Sequence, residues 1–133
     1  LAELAAIIGC PFRSLEELGG HVPVHNERME TPIAGLYVAG NITGIESAKV
    51  ARAQGVVAGL SIAMRVRAAA SGSVARVSGD ISVALERELA DAIEQVKAVR
   101  RAATIQFHPH IERGRQAMEA VFREEVQGVS SSG

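Results

Sequence analysis

The chain of 133 residues carries 14 Lys and Arg against 15 Asp and Glu, a formal net charge of −1. That balance leaves no basic stripe of the kind that grips nucleic acid, and no apolar run reaches the ~18 uncharged residues that span a bilayer. Aromatic residues make up 3% of a composition that is 47% hydrophobic, so alanine supplies much of the apolar content and helices are favoured over a bulky, self-sufficient core.

Leu1 to Ile8 reads as a helix stopped by Gly9. The chain starts there without an initiator Met, the pattern expected of the C-terminal piece of a longer protein. A loop through Arg13 and Leu18 leads to Gly19-Gly20. His21 to His25 alternates polar and apolar residues and is predicted to be a short strand, with Pro23 at its edge or end. Residues 26–32 form a polar turn region before Leu36 to Ala39, a short apolar, β-prone run expected to be a buried strand.

Gly40 and Gly44 bracket a tight turn where the missing Cβ lets backbone approach a ligand. A helix is predicted from Ile45 to Ala69. Its unpaired amides and positive dipole end face the turn, so a negatively charged group would be held there. Glu46, Ser47 and Lys49 fall in its first turn, where Glu46 reads as a solvated charge favoured by the dipole. Ala48, Ala51, Gly55, Ala58, Gly59 and Ile62 repeat at helical spacing. They form a small-residue face for close packing, which offsets interior glycines costing about 1 kcal/mol each relative to alanine.

Residues 71–80 read as a linker: Ser71-Gly72-Ser73 opens it, and Ser78-Gly79-Asp80 is a second break with Asp80 or Ser82 as the helix cap. Leu85, Leu89, Ala92, Val96, Val99 and Ala103 then mark a heptad-like seam. Thr104 to His108 interrupts it, and Pro109 suits the first turn of a last helix. That helix places Ile111, Met118, Val121, Phe122 and Val126 on one side and pairs Glu119 with Arg123. It is predicted to end near Gln127. The expectation is a helical hairpin over residues 81–127, its seams buried on the preceding domain or in a subunit contact, with residues 128–133 disordered.

Few side chains point to chemistry. Cys10 is the single cysteine, which excludes an internal disulfide or a C-x-x-C redox pair; it reads as a small buried residue. His108-Pro109-His110 supplies at most two ligands, with no carboxylate or thiol at a confirming offset. His21 and His25 share a strand face, and no metal site is assigned to them either. No G-x-G-x-x-G spacing opens a dinucleotide-binding unit. No catalytic acid or base is assigned.

The segment Thr31-Pro32-Ile33-Ala34-Gly35-Leu36-Tyr37-Val38-Ala39-Gly40-Asn41 resembles the second FAD-contacting motif of flavoproteins with two dinucleotide-binding domains, T-x-x-x-x-x-Y/F-A-x-G-D. Cys10-Pro11-Phe12-Arg13 and Gly19-Gly20-His21-Val22-Pro23-Val24 precede it. Gly44-Ile45-Glu46-Ser47-Ala48-Lys49-Val50-Ala51 follows. In that order they resemble the large subunits of sarcosine oxidase, opine oxidase and dye-linked proline dehydrogenase, among the pyridine nucleotide-disulfide oxidoreductase-like proteins. The resemblance covers residues 1 to 66.

It implies an α/β fragment: residues 1–70 as the C-terminal part of an FAD/NAD(P)-binding domain, with two short strands and a helix, followed by the mainly helical tail. It implies FAD as the cofactor of the intact protein, held through Gly40, Asn41, Ile42, Gly44, Ile45 and Glu46. Asn41 stands where relatives carry Asp. An amide oxygen still accepts a hydrogen bond from a ribityl hydroxyl, without charge assistance. The helix start would face the pyrimidine edge of the flavin and stabilise negative charge around N1 and C2=O on reduction.

The expected function is therefore the C-terminal segment of an FAD-dependent amine or amino-acid oxidoreductase. It would need the remaining N-terminal part or other subunits for activity, and could self-associate through its helical tail. The alternative is a noncatalytic helical oligomerisation or interaction module that keeps a remnant flavin motif. The lone cysteine argues against a disulfide reductase, and the cysteine-free tail against an attached iron–sulfur cluster. A cytoplasmic location is expected.

Overall fold

A computed structural model describes residues 2–70, 75–103 and 108–131. Among these residues the chain is mostly helical, with one small antiparallel sheet of two strands. Helix α1 (Glu3–Ile7) ends where Gly9 takes φ +86°, a left-handed turn that glycine adopts without a steric penalty. Strand β1 (Phe12–Leu15), a 3₁₀ turn (Glu16–Leu18) and strand β2 (Gly20–Pro23) form a hairpin. Its register sets Phe12 opposite Pro23 and Leu15 opposite Gly20.

This hairpin corrects the loop expected over residues 13–18. Arg13 and Ser14 are both exposed, so β1 shows no alternating apolar signal; backbone pairing with β2 makes it a strand. Strand β2 ends at Pro23, which removes a ladder donor. The strand expected at residues 36–39 does not form. That stretch makes a single bridge, Tyr37 with Glu30, because a strand exists only where a neighbour supplies a ladder and the 26–30 turn supplies one residue pair. The two strands are thus a hairpin upstream of the Gly40 turn.

Helix α2 (Ala48–Ala69) starts later than the predicted Ile45. Ser47 is its cap, its hydroxyl accepting from the Val50 amide at 3.2 Å. Its buried face is Val50, Gln54, Val57 and Ser61. Of the small-residue face expected to pack closely, Ala51 and Ala58 are half-buried, with Ala58 against the core, while Ala48, Gly55, Gly59 and Ile62 are exposed. Ser71, Gly72 and Ser73 of the expected linker lie outside the described residues. Helix α3 (Ala75–Ala102) begins before the second predicted break, so Asp80 and Ser82 sit inside it rather than at a cap.

Helix α4 (His108–Ser131) carries Pro109 in its first turn and runs past Gln127 into residues expected to be disordered. The tail is not a hairpin closed on itself. Leu89 and Val96 of α3 pack with Val50 and Val57 of α2 and with Met29. Ile111 and Met118 of α4 pack instead with Leu18, Val22 and Val24 of the hairpin region. Each seam finds its apolar partner within residues 1–70. None of the helices in the described residues is long and apolar enough to cross a membrane.

Candidate functional site

The segment from Gly40 to Glu46 is stitched to three helices, α2 through Gln54, α3 through Arg100 and α4 through Arg115. Gly40 (φ +81°) opens a 3₁₀ turn ending at Thr43. Its amide donates to Gln54 Oε1 at 2.9 Å, and the Thr43 hydroxyl donates to the Gly40 carbonyl at 2.9 Å. Gly44 is buried with φ +121° and its amide donates to Asn41 O at 3.2 Å. A Cβ there would lie 3.0 Å from the Leu18 carbonyl oxygen and 3.3 Å from Leu18 Cβ. Glycine at 44 therefore serves close approach of the hairpin, and the amides of Gly40 and Gly44 are turned to internal acceptors.

Glu46 departs furthest from its expected setting. It precedes the cap of α2 and is not a solvated charge in the first turn: its side chain is 4% exposed and gripped by two arginines. Arg100 of α3 donates from Nε to Oε2 at 2.6 Å and from Nη2 to Oε1 at 3.1 Å. Arg115 of α4 donates from Nη2 to Oε1 at 2.6 Å, and its Nη1 donates to the Thr43 carbonyl at 2.7 Å. Burial would raise the Glu46 pKa, but the hydrogen bonds and charges of Arg100 and Arg115 outweigh it and hold the carboxyl below its ordinary value. Burial lowers the Arg115 pKa, opposed by Glu46.

His25 joins the same network. Only 2% exposed, its Nδ1 lies 2.7 Å from the Pro23 carbonyl and its Nε2 3.2 Å from Arg115 Nη1. A guanidinium only donates, so Nε2 accepts and Nδ1 carries the proton. Burial drives the pKa down to about 4; the Pro23 bond opposes this and the Arg115 charge adds to it. His21, by contrast, is exposed and stacks on Phe12 with ring centroids 5.9 Å apart, so strand sharing does not bring the two imidazoles together. Among the described residues, no group of three or more His, Cys, Asp or Glu could hold a metal ion.

Of the predicted cofactor residues, Gly40, Thr43-flanking Ile42, Gly44 and the Glu46 carboxylate face inward or are partly covered, while Asn41 is exposed and Ile45 is 79% exposed. The polar residues of this network that the sequence pattern did not single out are Gln54, Arg100 and Arg115, while His25 was weighed only as a metal ligand. Two of them carried a signal. Arg115 lies four residues after Ile111 and three before Met118, so it occupies the apolar seam of α4; Gln54 stands likewise between Val50 and Val57 on α2. A polar group at such a position must find a buried partner.

No family model matches the chain, and no curated protein or solved structure matches it.

Proposed function

We propose that this chain is the C-terminal segment of an FAD-dependent amine or amino-acid oxidoreductase, acting with the remaining N-terminal part of the protein or with other subunits. The observation that carries the reading is the two-sided turn between Ala39 and Ser47. Its inner side is clamped by Gln54 and Arg115, and its outer side presents Asn41 and Ile45 to solvent beside the start of α2.

The residues fit the group in three respects. The exposed Asn41 amide offers an oxygen to a ribityl hydroxyl. Ile45 offers an apolar contact to one side of a ring. The 22-residue helix α2, whose Val50 amide is taken by the Ser47 hydroxyl, ends a full-length dipole at this turn. Bound there, FAD would supply the hydride chemistry. The chain's own residues would orient it and place fixed positive potential near the reduced ring without reorganisation. Because the loop is held from below by buried groups, that potential would be preorganised. The Glu46 carboxylate would act by holding the loop, through Arg100 and Arg115, rather than by touching the cofactor.

Further support comes from the outer face of α2. Gly55, Val56, Gly59, Ile62 and Val66 are exposed there, as are Leu4, Ile7 and Ile8 around α1. Exposed apolar side chains grouped on a helix face suit a covering partner, and the rest of a flavin domain would cover them.

The test is reconstitution: the chain is co-purified with a polypeptide carrying a G-x-G-x-x-G dinucleotide-binding half, and its visible spectrum is recorded. Flavin absorbance that falls on Asn41→Ala and survives or grows on Asn41→Asp is the expected result. A colourless, stable complex, or absorbance indifferent to residue 41, would favour the noncatalytic helical module.

A further inference from the structure

We propose a second binding site, for a small organic monocarboxylate with an apolar body, in the cleft between α3, α4 and the 25–29 turn. The cleft encloses about 430 Å³, within the size range of small-molecule pockets. This inference does not rest on the flavin reading.

Two buried donors in the cleft wall have no acceptor. Gln54 is 1% exposed, and its Oε1 takes the Gly40 amide, which decides the way the side-chain amide is turned. Its Nε2 is left buried without a partner. Arg115 spends its Nη atoms on Thr43 and Glu46, and its Nε is likewise buried without a partner. Both residues line the cleft. An orphaned buried donor loses its hydration with nothing in return, and an oxygen acceptor entering the cleft restores the bond at both.

The donors select the acceptor. Arg115 Nε is a cationic donor, for which a carboxylate oxygen is the stronger partner, and a carboxylate carries a second oxygen for Gln54 Nε2. At the floor Arg100 and Arg115 share the carboxylate of Glu46. At the mouth Lys97 meets both Glu27 and Glu94, Arg123 meets Glu119, and Glu112 is exposed, so acids outnumber bases there, which favours one added negative charge over two. The remaining wall includes Met29, Ile93, Val96 and Met118, which suits hydrocarbon. A carboxylate on a short aliphatic or aromatic body meets all these features; a phosphate dianion has twice the charge and nothing to offer the apolar wall.

The experiment titrates the full chain with hexanoate, hexanol and inorganic phosphate while following the side-chain NH₂ resonances of Gln54 and the Nε–H of Arg115. Saturable shifts at both with hexanoate, and none with hexanol, are expected. Gln54→Glu keeps the oxygen that caps Gly40 but turns a carboxylate oxygen on the cleft, and it should weaken hexanoate binding on the order of tenfold or more. Three results overturn the site: no saturable shift in the wild type at millimolar hexanoate, hexanol or phosphate moving the same resonances as strongly, or a folded Gln54→Glu chain that binds hexanoate unchanged. The wild-type titration decides the matter even if that variant fails to fold.

Discussion

Arg100 and Glu46, 54 residues apart in the chain, meet through two parallel hydrogen bonds of 2.6 and 3.1 Å. This paired contact ties the last turn of α3 to the segment that carries the Gly40 turn, and Arg115 ties α4 to the same carboxylate. Three separately formed parts of the protein thus converge on one side chain.

Removing that carboxylate leaves two guanidinium groups buried together. Glu46→Ala should cost about 3–5 kcal/mol of folding stability, the range for a broken buried ion pair. Chemical denaturation of the two proteins measures it. A loss below about 1 kcal/mol would mean that the pairs behave as exposed ones do.

The Glu46 pKa is depressed in the folded chain, so the unfolded state binds the proton first on acidification. Its stabilisation is present above the ordinary value of 4.5 and is lost as pH falls through the lower folded value. Denaturation midpoints followed downward from pH 5 should show a decline in the wild type that is shallower in Glu46→Gln.

His25 acts in a higher window. Its pKa is 6.5 in the ordinary state and about 4 when folded, so between those values the unfolded chain takes up a proton that the folded one refuses. Stability should fall by on the order of 3 kcal/mol as pH drops from 7 to 4. His25→Asn, which keeps a donor for the Pro23 carbonyl, should flatten that part of the curve. An imidazole resonance of His25 that titrates near pH 6 would contradict the assignment.

Two glycine substitutions separate crowding from conformation. Gly44→Ala adds a Cβ 3.0 Å from the Leu18 carbonyl oxygen on a residue at φ +121°, whereas Gly35→Ala meets open space at φ +85°. Both carry backbone strain of about 1–3 kcal/mol, and Gly44→Ala should show the larger drop in melting temperature because the hairpin must also move.

On α2 the opposite sign is expected. Gly55 and Gly59 have nothing near their missing Cβ atoms, so alanine at each should stabilise the isolated chain by about 1 kcal/mol. If the remainder of a flavin domain packs on that face, the same double variant should associate with it more weakly. Melting curves and a binding titration on one pair of proteins read both effects.

Features set within a few neighbouring residues were legible in the sequence. Gly9 stops α1, Pro23 ends β2, Pro109 opens α4, and Glu119 and Arg123 face each other one turn apart at 3.7 Å. Backbone dihedral preference and helical periodicity act over that distance alone. The apolar seams of α3 and α4 were legible as well, though not what they would lie against.

What each surface met was a matter of the assembled chain. Leu36 to Ala39 has the composition of a strand and lacks a ladder. Arg13 and Ser14 lack that composition and are in one. Glu46 has the position of a helix-start charge, yet arginines from α3 and α4 reach it across 54 and 69 residues of sequence. Strand pairing and the burial of charge depend on which distant partner arrives, and the desolvation of a carboxylate is tolerated only once that partner is there.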